Sequence, residues 1–352
     1  MPASLPATPA SDASGLPPVA PQQQGVERQL TRLAGLSEPS WLHAEVARRL
    51  ADKLDAILLK PHHWLDWAGW LGAGQGEVAR RYPDAQRWVF EPTVDWAKRS
   101  AQQSRSKAAE RALQGPAQAA FSAQQTTVKS LLNRLLGGKS RSALITQTDA
   151  GAPSATPVFH EFMHKPNGWP QDGVGLVWAN MVLHAETDLP ALLRAWHRAL
   201  AVDGFVMCSG LGPDTARELK SVYQHMGWGL PTIDFIDMHD LGDAFVKAGF
   251  ADPVMDMERI TLTWPDAQTL LAECRQWGGN VAIGRFSGLR TPGWRQQLLQ
   301  ALQTGLVRPD GRLGLTLELV YGHAVKPIPK LPVAPETRVT LSDMKRIIAK
   351  AK

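Results

Sequence analysis

From Trp41 the apolar positions Leu42, Val46, Ala47, Leu50 and Leu54 recur at helical spacing, which predicts an amphipathic helix over roughly 42–56 with Ser40 as N-cap. Order is expected to begin near Val26. After Pro61 the pattern changes. His63-Trp64-Leu65-Asp66-Trp67 is a short apolar run, read as a strand, and a glycine-rich loop follows from Ala68 to Gly76. Glu77 to Tyr82 reads as a helix, and Arg87-Trp88-Val89-Phe90 as a second strand ending on Glu91. Strand, glycine loop, helix, strand and acid together make one βαβ unit.

The alternation continues further along. Val174 to Asn180 reads as a buried strand, Leu189 to Leu200 as a helix, Asp203-Gly204 as a turn and Phe205 to Ser209 as a strand. Helices are predicted near 213–226 and over 241–247, the second closed by Gly249. A strand over 260–264, helices over 266–276 and 294–302, and a last strand over 315–324 complete the pattern. Strands alternating with helices predict an α/β fold: a doubly wound, mostly parallel seven-stranded sheet with one antiparallel strand, plus helical cap elements.

Three stretches differ in texture. Residues 1–25 are rich in Pro, Ala and Ser and read as a disordered tail. Residues 98–157 are basic and rich in Ala, Gln and Ser, with Glu110 and Asp149 as their acids; they read as an insertion holding one amphipathic segment over 128–136. Residues 327–352 read as a Pro-rich linker and a basic helix over roughly 342–350. The domain proper is thus expected over 26–326.

Composition narrows the class. With 44% hydrophobic and 20% charged residues, the chain has enough apolar surface for a sizeable core. Its net charge of +5 gives weak attraction for an acidic partner without ranking nucleic acid above protein. Cys208 and Cys274 stand far apart, which argues against a disulfide framework and fits a reducing cytoplasm. No apolar run approaches the roughly 20 residues of a membrane span, and the N-terminal stretch lacks the basic start and apolar core of a secretory signal.

The glycine loop is the first feature with chemistry. A loop between a strand's C-terminal end and the next helix is where doubly wound sheets bind ligands. Glu91, close to the roughly 20 residues expected after such a loop, is placed to accept hydrogen bonds from ribose hydroxyls. The competing reading is a tight turn followed by a solvated strand end. No HExxH, P-loop, GxSxG or paired CxxC occurs, and His184, His239 and His323 read as structural.

Several segments carry a family resemblance. Trp41-Leu42-His43-Ala44-Glu45-Val46-Ala47-Arg48-Arg49-Leu50, Lys60-Pro61 before Leu65-Asp66, and Val177-Trp178-Ala179-Asn180-Met181-Val182-Leu183-His184 contribute to it. So do Asp237 to Ala244, Ala248 to Asp256, Gly278-Gly279-Asn280, and Glu318 to Ala324. Over about 40–326, the insertion excepted, the chain resembles bacterial malonyl-ACP O-methyltransferase, the BioC family of biotin synthesis. The resemblance implies S-adenosylmethionine as cofactor, held by Asp66, Gly69, Gly72, Gly74, Gly76, Glu91 and Asn180. It also implies an acyl carrier protein bearing the methyl-accepting carboxylate, for which Arg285 and Arg290 are the candidate ligands. The family's first motif, D-x-G-x-G-x-G, fits in two registers. Either Asp66 is the acid and Ala68 and Trp70 stand at glycine positions, or Gly72, Gly74 and Gly76 are the glycines and Trp70 replaces the acid. A Trp where backbone must approach a ligand is a steric obstacle that Gly avoids. The family's tyrosine near the start of the domain has no counterpart between Leu36 and Trp41. These departures leave a second function open: a non-catalytic methyltransferase-like paralogue that binds a protein partner or serves assembly.

Overall fold

Alternation along the central strands decides the layers. The computed structural model describes residues 21–92, 96–97, 99–100, 169–286, 288–329, 342 and 346. Strand β1 (His63–Trp67) sends Trp64 to one face and Leu65 and Trp67 to the other; β3 (Val174–Ala179) splits Leu176 and Trp178 from Val177 and Ala179 in the same way. In β4 (Leu200–Leu211), Phe205 and Met207 oppose Val206 and Cys208. Both faces are buried, as in a parallel sheet covered on two sides.

With β2 (Gln86–Phe90), β5 (Ala251–Trp264) and β6 (Leu313–Val325), the sheet order is β2-β1-β3-β4-β6-β5. Strand β6 runs antiparallel to both neighbours and the other described pairings are parallel. Six strands lie among the described residues rather than seven; the stretch between β2 and β3 falls almost wholly outside them. Strand β5 begins nine residues before its predicted start. It is an edge strand whose exposed positions include Asp256 and Arg259, and charge on an exposed edge hides the strand signal while discouraging edge-to-edge pairing.

Helix α1 (Gln23–Ala34) begins inside the expected tail, and α2 (Trp41–Asp52) continues as a 3-10 turn to Ala56. The Ser40 hydroxyl accepts from Leu42 N at 3.2 Å, as predicted. Leu42, Val46, Leu50 and Leu54 are fully buried against Trp64 and Trp178, each burial contributing about 1.5–3 kcal/mol before entropy is counted. The opposite face is covered by α5 (Leu189–Ala199) and α7 (Met238–Lys247), after the short α3 (Gly69–Gly72) and α4 (Gln75–Arg81). Trp67 stacks on Phe90 with ring centroids 4.1 Å apart and meets Trp196 of α5 edge-on at 6.1 Å. Asp203-Gly204 does not leave the sheet as a turn: Asp203 sits in β4 with φ 62° and donates its N–H to Lys326 O.

A third apolar cluster forms the cap, from α6 (Arg217–His225), α8 (Ala267–Trp277), α9 (Pro292–Gly305) and the start of β6. Asp266 caps α8 by accepting from Gln268 N and Thr269 N, both at 2.8 Å. Gly249, at φ 95°, closes α7 as expected. The insertion, save Arg99 and Ser100, the segment over 128–136 and the C-terminal basic helix, save residues 342 and 346, lie outside the described residues. No helix among the described residues is long and apolar enough to cross a membrane.

Candidate functional site

The glycine loop is not an open coil. Ala68 leaves β1 in the left-handed conformation (φ 54°), α3 makes one helical turn, and Ala73 (φ 53°) reverses the chain into α4. Ala68 N donates to Phe90 O at 2.8 Å, which ties the loop to the end of β2. Trp70, the expected obstacle, turns its indole into the core and is 6% exposed, with the Arg99 guanidinium 5.5 Å above the ring. Its backbone N–H donates to Glu91 Oε1 at 2.7 Å. The steric problem is thus avoided by the direction of the side chain.

Asp66 is fully buried, and its Oδ2 accepts from Arg87 Nε at 2.9 Å and Nη2 at 2.6 Å. Gly69 lies directly beside this ion pair: a Cβ there would come within 2.8 Å of Asp66 Oδ2. A Cβ on Gly72 would press on Asn180 O at 3.2 Å, and one on Gly74 would overlap the Trp178 indole. Gly76 is the second residue of α4. The close approaches of Gly69, Gly72 and Gly74 are therefore to the protein's own groups, as the tight-turn reading anticipates. Asn180 clamps the loop. Its Nδ2 donates to Gly72 O at 2.6 Å and to His43 O at 2.8 Å, while Oδ1 accepts from Ser209 Oγ at 2.7 Å.

Glu91 is not a solvated strand end. It is 3% exposed, and burial, reinforced by the nearby Asp66, pushes its pKa up to about 8 against the bonds from Ser100 Oγ and Trp70 N. Both of those bonds reach Oε1. Oε2 is buried and has no hydrogen-bond partner among the described residues. A buried polar oxygen left without a partner in this way is uncommon in folded proteins and calls for one. Two vicinal hydroxyls of a ribose fit that need, so the residues present suit a nucleoside cofactor at this carboxylate.

Two histidines lie close by: His184, which the sequence left as structural, and His43, on whose role the sequence reading was silent. His43 Nδ1 is 2.8 Å from Leu71 O, and burial lowers its pKa to about 4. His184 is lowered to about 3, by burial first and then by His43. Both are neutral at pH 7.

The arginine pair separates. Arg285 reaches Gln22 Oε1 at 3.5 Å, in the segment before α1. Arg290 lines a cavity of about 690 Å³ bounded by α1, α6, α8 and α9. Its guanidinium carbon sits 3.8 Å from the Phe286 ring centroid and 4.3 Å from that of Trp294. Arg32, Arg275, Arg295 and His184 line the same cavity, and among the described residues no Asp or Glu does. Sequence reasoning missed Arg32 and Arg275 because neither lies in a motif.

No family model matches the chain. Curated relatives do. The malonyl-acyl-carrier-protein O-methyltransferase of Laribacter hongkongensis is 34% identical over 288 residues, covering 81% of this chain and 83% of that protein. The protein of the same name from Gallionella capsiferriformans is 32% identical over 298 residues, covering 84% and 88%. Among solved structures, the YcgJ protein of Bacillus subtilis aligns with 80% of this chain and 98% of its own at 11% identity and a TM-score of 0.44.

Proposed function

The chain belongs to the malonyl-acyl-carrier-protein O-methyltransferase family, and from that premise we propose that it transfers a methyl group from S-adenosylmethionine to the free carboxylate of a malonyl thioester on an acyl carrier protein. The observation that carries this reading is kinship over most of both chains, joined to a buried, half-satisfied carboxylate at Glu91. When bound, S-adenosylmethionine supplies a methyl group that is already electrophilic. Glu91 would hold the ribose hydroxyls. Asn180, Gly69, Gly72 and Gly74 fix the loop that frames the site, Asp66 anchors it through Arg87, and Gly76 begins the helix behind it.

The acceptor is a carboxylate, itself the nucleophile, so the site needs no general base. Its work is to hold that carboxylate in line and keep water out. Arg290 suits this role because its guanidinium lies against the Phe286 and Trp294 rings and a planar guanidinium can meet a carboxylate through two N–H groups. Arg285 acts further out, fixing the N-terminal segment against the cap. The neutral lining of His184 adds no charge to compete for the carboxylate.

The test is transfer of a tritiated methyl group from S-adenosylmethionine to malonyl-acyl carrier protein, read as a base-labile methyl ester. Ester formation at a rate like that of a family enzyme run in parallel supports the proposal, and no ester overturns it. The lack of a tyrosine between Leu36 and Trp41 favours a second reading as a non-catalytic binding or assembly protein. That reading requires that millimolar S-adenosylhomocysteine give no heat of binding.

A further inference from the structure

The cap cavity holds more positive charge than one carboxylate needs. Arg32 stands in the last turn of α1 and Arg275 in the last turn of α8, and both line the cavity. Arg32 Nη2 donates to Gly278 O, the residue that ends α8. Neither guanidinium forms an ion pair with a carboxylate among the described residues. Desolvation by burial and then repulsion from Arg275 lower the pKa of Arg32, yet an arginine keeps its charge in a protein.

Each position has an ordinary explanation by itself, since a cation in a last helical turn complements the helix dipole. That explanation does not account for two cations from different helices meeting on one wall that carries no acid among the described residues. Like charges brought together without a counter-charge raise the energy of the ligand-free fold and favour an anion between them. Trp277, Trp294, Leu271 and Leu298 give the same cavity apolar surface, which suits the uncharged stretch of an acyl arm.

We propose that Arg32 and Arg275 form a second oxyanion site in the cap cavity, distinct from Arg290, which takes the phosphate ester carried on the arm of the acyl-thioester substrate. The inference rests on the reading that this cavity receives the methyl acceptor. Malonyl-pantetheine carries the carboxylate without a phosphate, and malonyl-phosphopantetheine carries both. Trp277 and Trp294 line the cavity, so quenching of tryptophan fluorescence reports occupancy without catalysis.

The full-length protein, R32Q, R275Q and the surface control R48Q are titrated with both probes. At least a tenfold rise in Kd for the phosphorylated probe in R32Q and R275Q, with R48Q unchanged, is the expected result. A rise for the phosphorylated probe alone supports the site; an equal rise for both probes overturns it, because the two arginines would then act on the carboxylate assigned to Arg290. Unchanged Kd values in both variants, or no saturable quenching of the wild-type protein, overturn the proposal. R32Q also removes the bond to Gly278 O, so R275Q, which breaks no hydrogen bond among the described residues, guards against a folding artefact. Methyl transfer to malonyl-acyl carrier protein is measured on the same samples. Intact transfer and KM in both variants would sink the anion site and leave the family activity standing. Lost quenching in variants of a protein that transfers no methyl group would do the reverse.

Discussion

A cofactor that meets Glu91 should expel a proton. In the ligand-free fold its pKa is pushed up to about 8 from an ordinary 4.5, so at pH 7 roughly nine-tenths of the molecules carry a neutral carboxyl here. Ribose hydroxyls donating to the open Oε2 favour the ionised form and pull the pKa down. Binding of S-adenosylhomocysteine at pH 7 is therefore expected to release close to one proton, and its affinity to rise up to about tenfold per unit between pH 6 and 8 before levelling. Calorimetric titrations in phosphate, HEPES and Tris, which differ in ionisation enthalpy, give the proton count from the slope of the apparent heat. The E91Q variant keeps an acceptor oxygen for Trp70 N–H and Ser100 O–H but cannot titrate, so the slope should vanish and the binding weaken. Stability supplies an independent check. A raised carboxyl pKa contributes stability that is whole below pH 4.5 and is lost as the pH climbs through about 8, a span worth roughly 4–5 kcal/mol at about 1.4 kcal/mol per unit. Wild-type protein should thus lose stability against E91Q across that window. Tight binding with no buffer dependence would refute the reasoning, because it would mean that the ligand does not meet this carboxylate.

Three further outcomes follow from the same geometry. Ala68→Gly and Ala73→Gly remove a Cβ from left-handed backbone and should each raise the urea unfolding free energy by about 0.5–1 kcal/mol; a fall would show that the Cβ contacts outweigh the strain. His43, lowered to about 4 from 6.5 by burial, contributes stability that is present above pH 6.5 and lost as the pH falls through about 4. The acid limb of the unfolding profile should therefore flatten in H43Q, and an unaltered limb would exclude His43 as its source. Arg290→Gln should raise KM for the acceptor tenfold or more with a smaller change in kcat, and Arg290→Lys should not restore it, since an ammonium can neither stack on the Phe286 and Trp294 rings nor bind bidentately; full rescue by lysine would reduce Arg290 to a point charge.

Much of the scaffold was legible in the chain. Ser40 and Gly249 announced their helix ends, and the short apolar runs of β1, β3 and β4 announced buried strands. These signals are local, because a cap reaches two or three residues and the apolar run of a buried strand only a few more. The acid at Glu91 was also readable, since it is tied to the loop by a fixed spacing. The edge strand β5 was read too short because its outward charges carry no strand pattern.

What faces each of these residues was decided only by the tertiary structure. Whether Glu91 is solvated or buried depends on Trp70 and Ser100. The direction of the Trp70 side chain decides whether the loop is obstructed, and Asn180 clamps Gly72 across 108 residues of sequence. Arg285 and Arg290, five apart in the chain, part company because the cap turns between them, while Arg32 and Arg275 meet because α1 folds back onto the end of α8. Sequence periodicity records which side of an element is apolar. It does not record which distant element covers that side, and the pKa of a carboxylate or the counter-charge of an arginine is set by that covering.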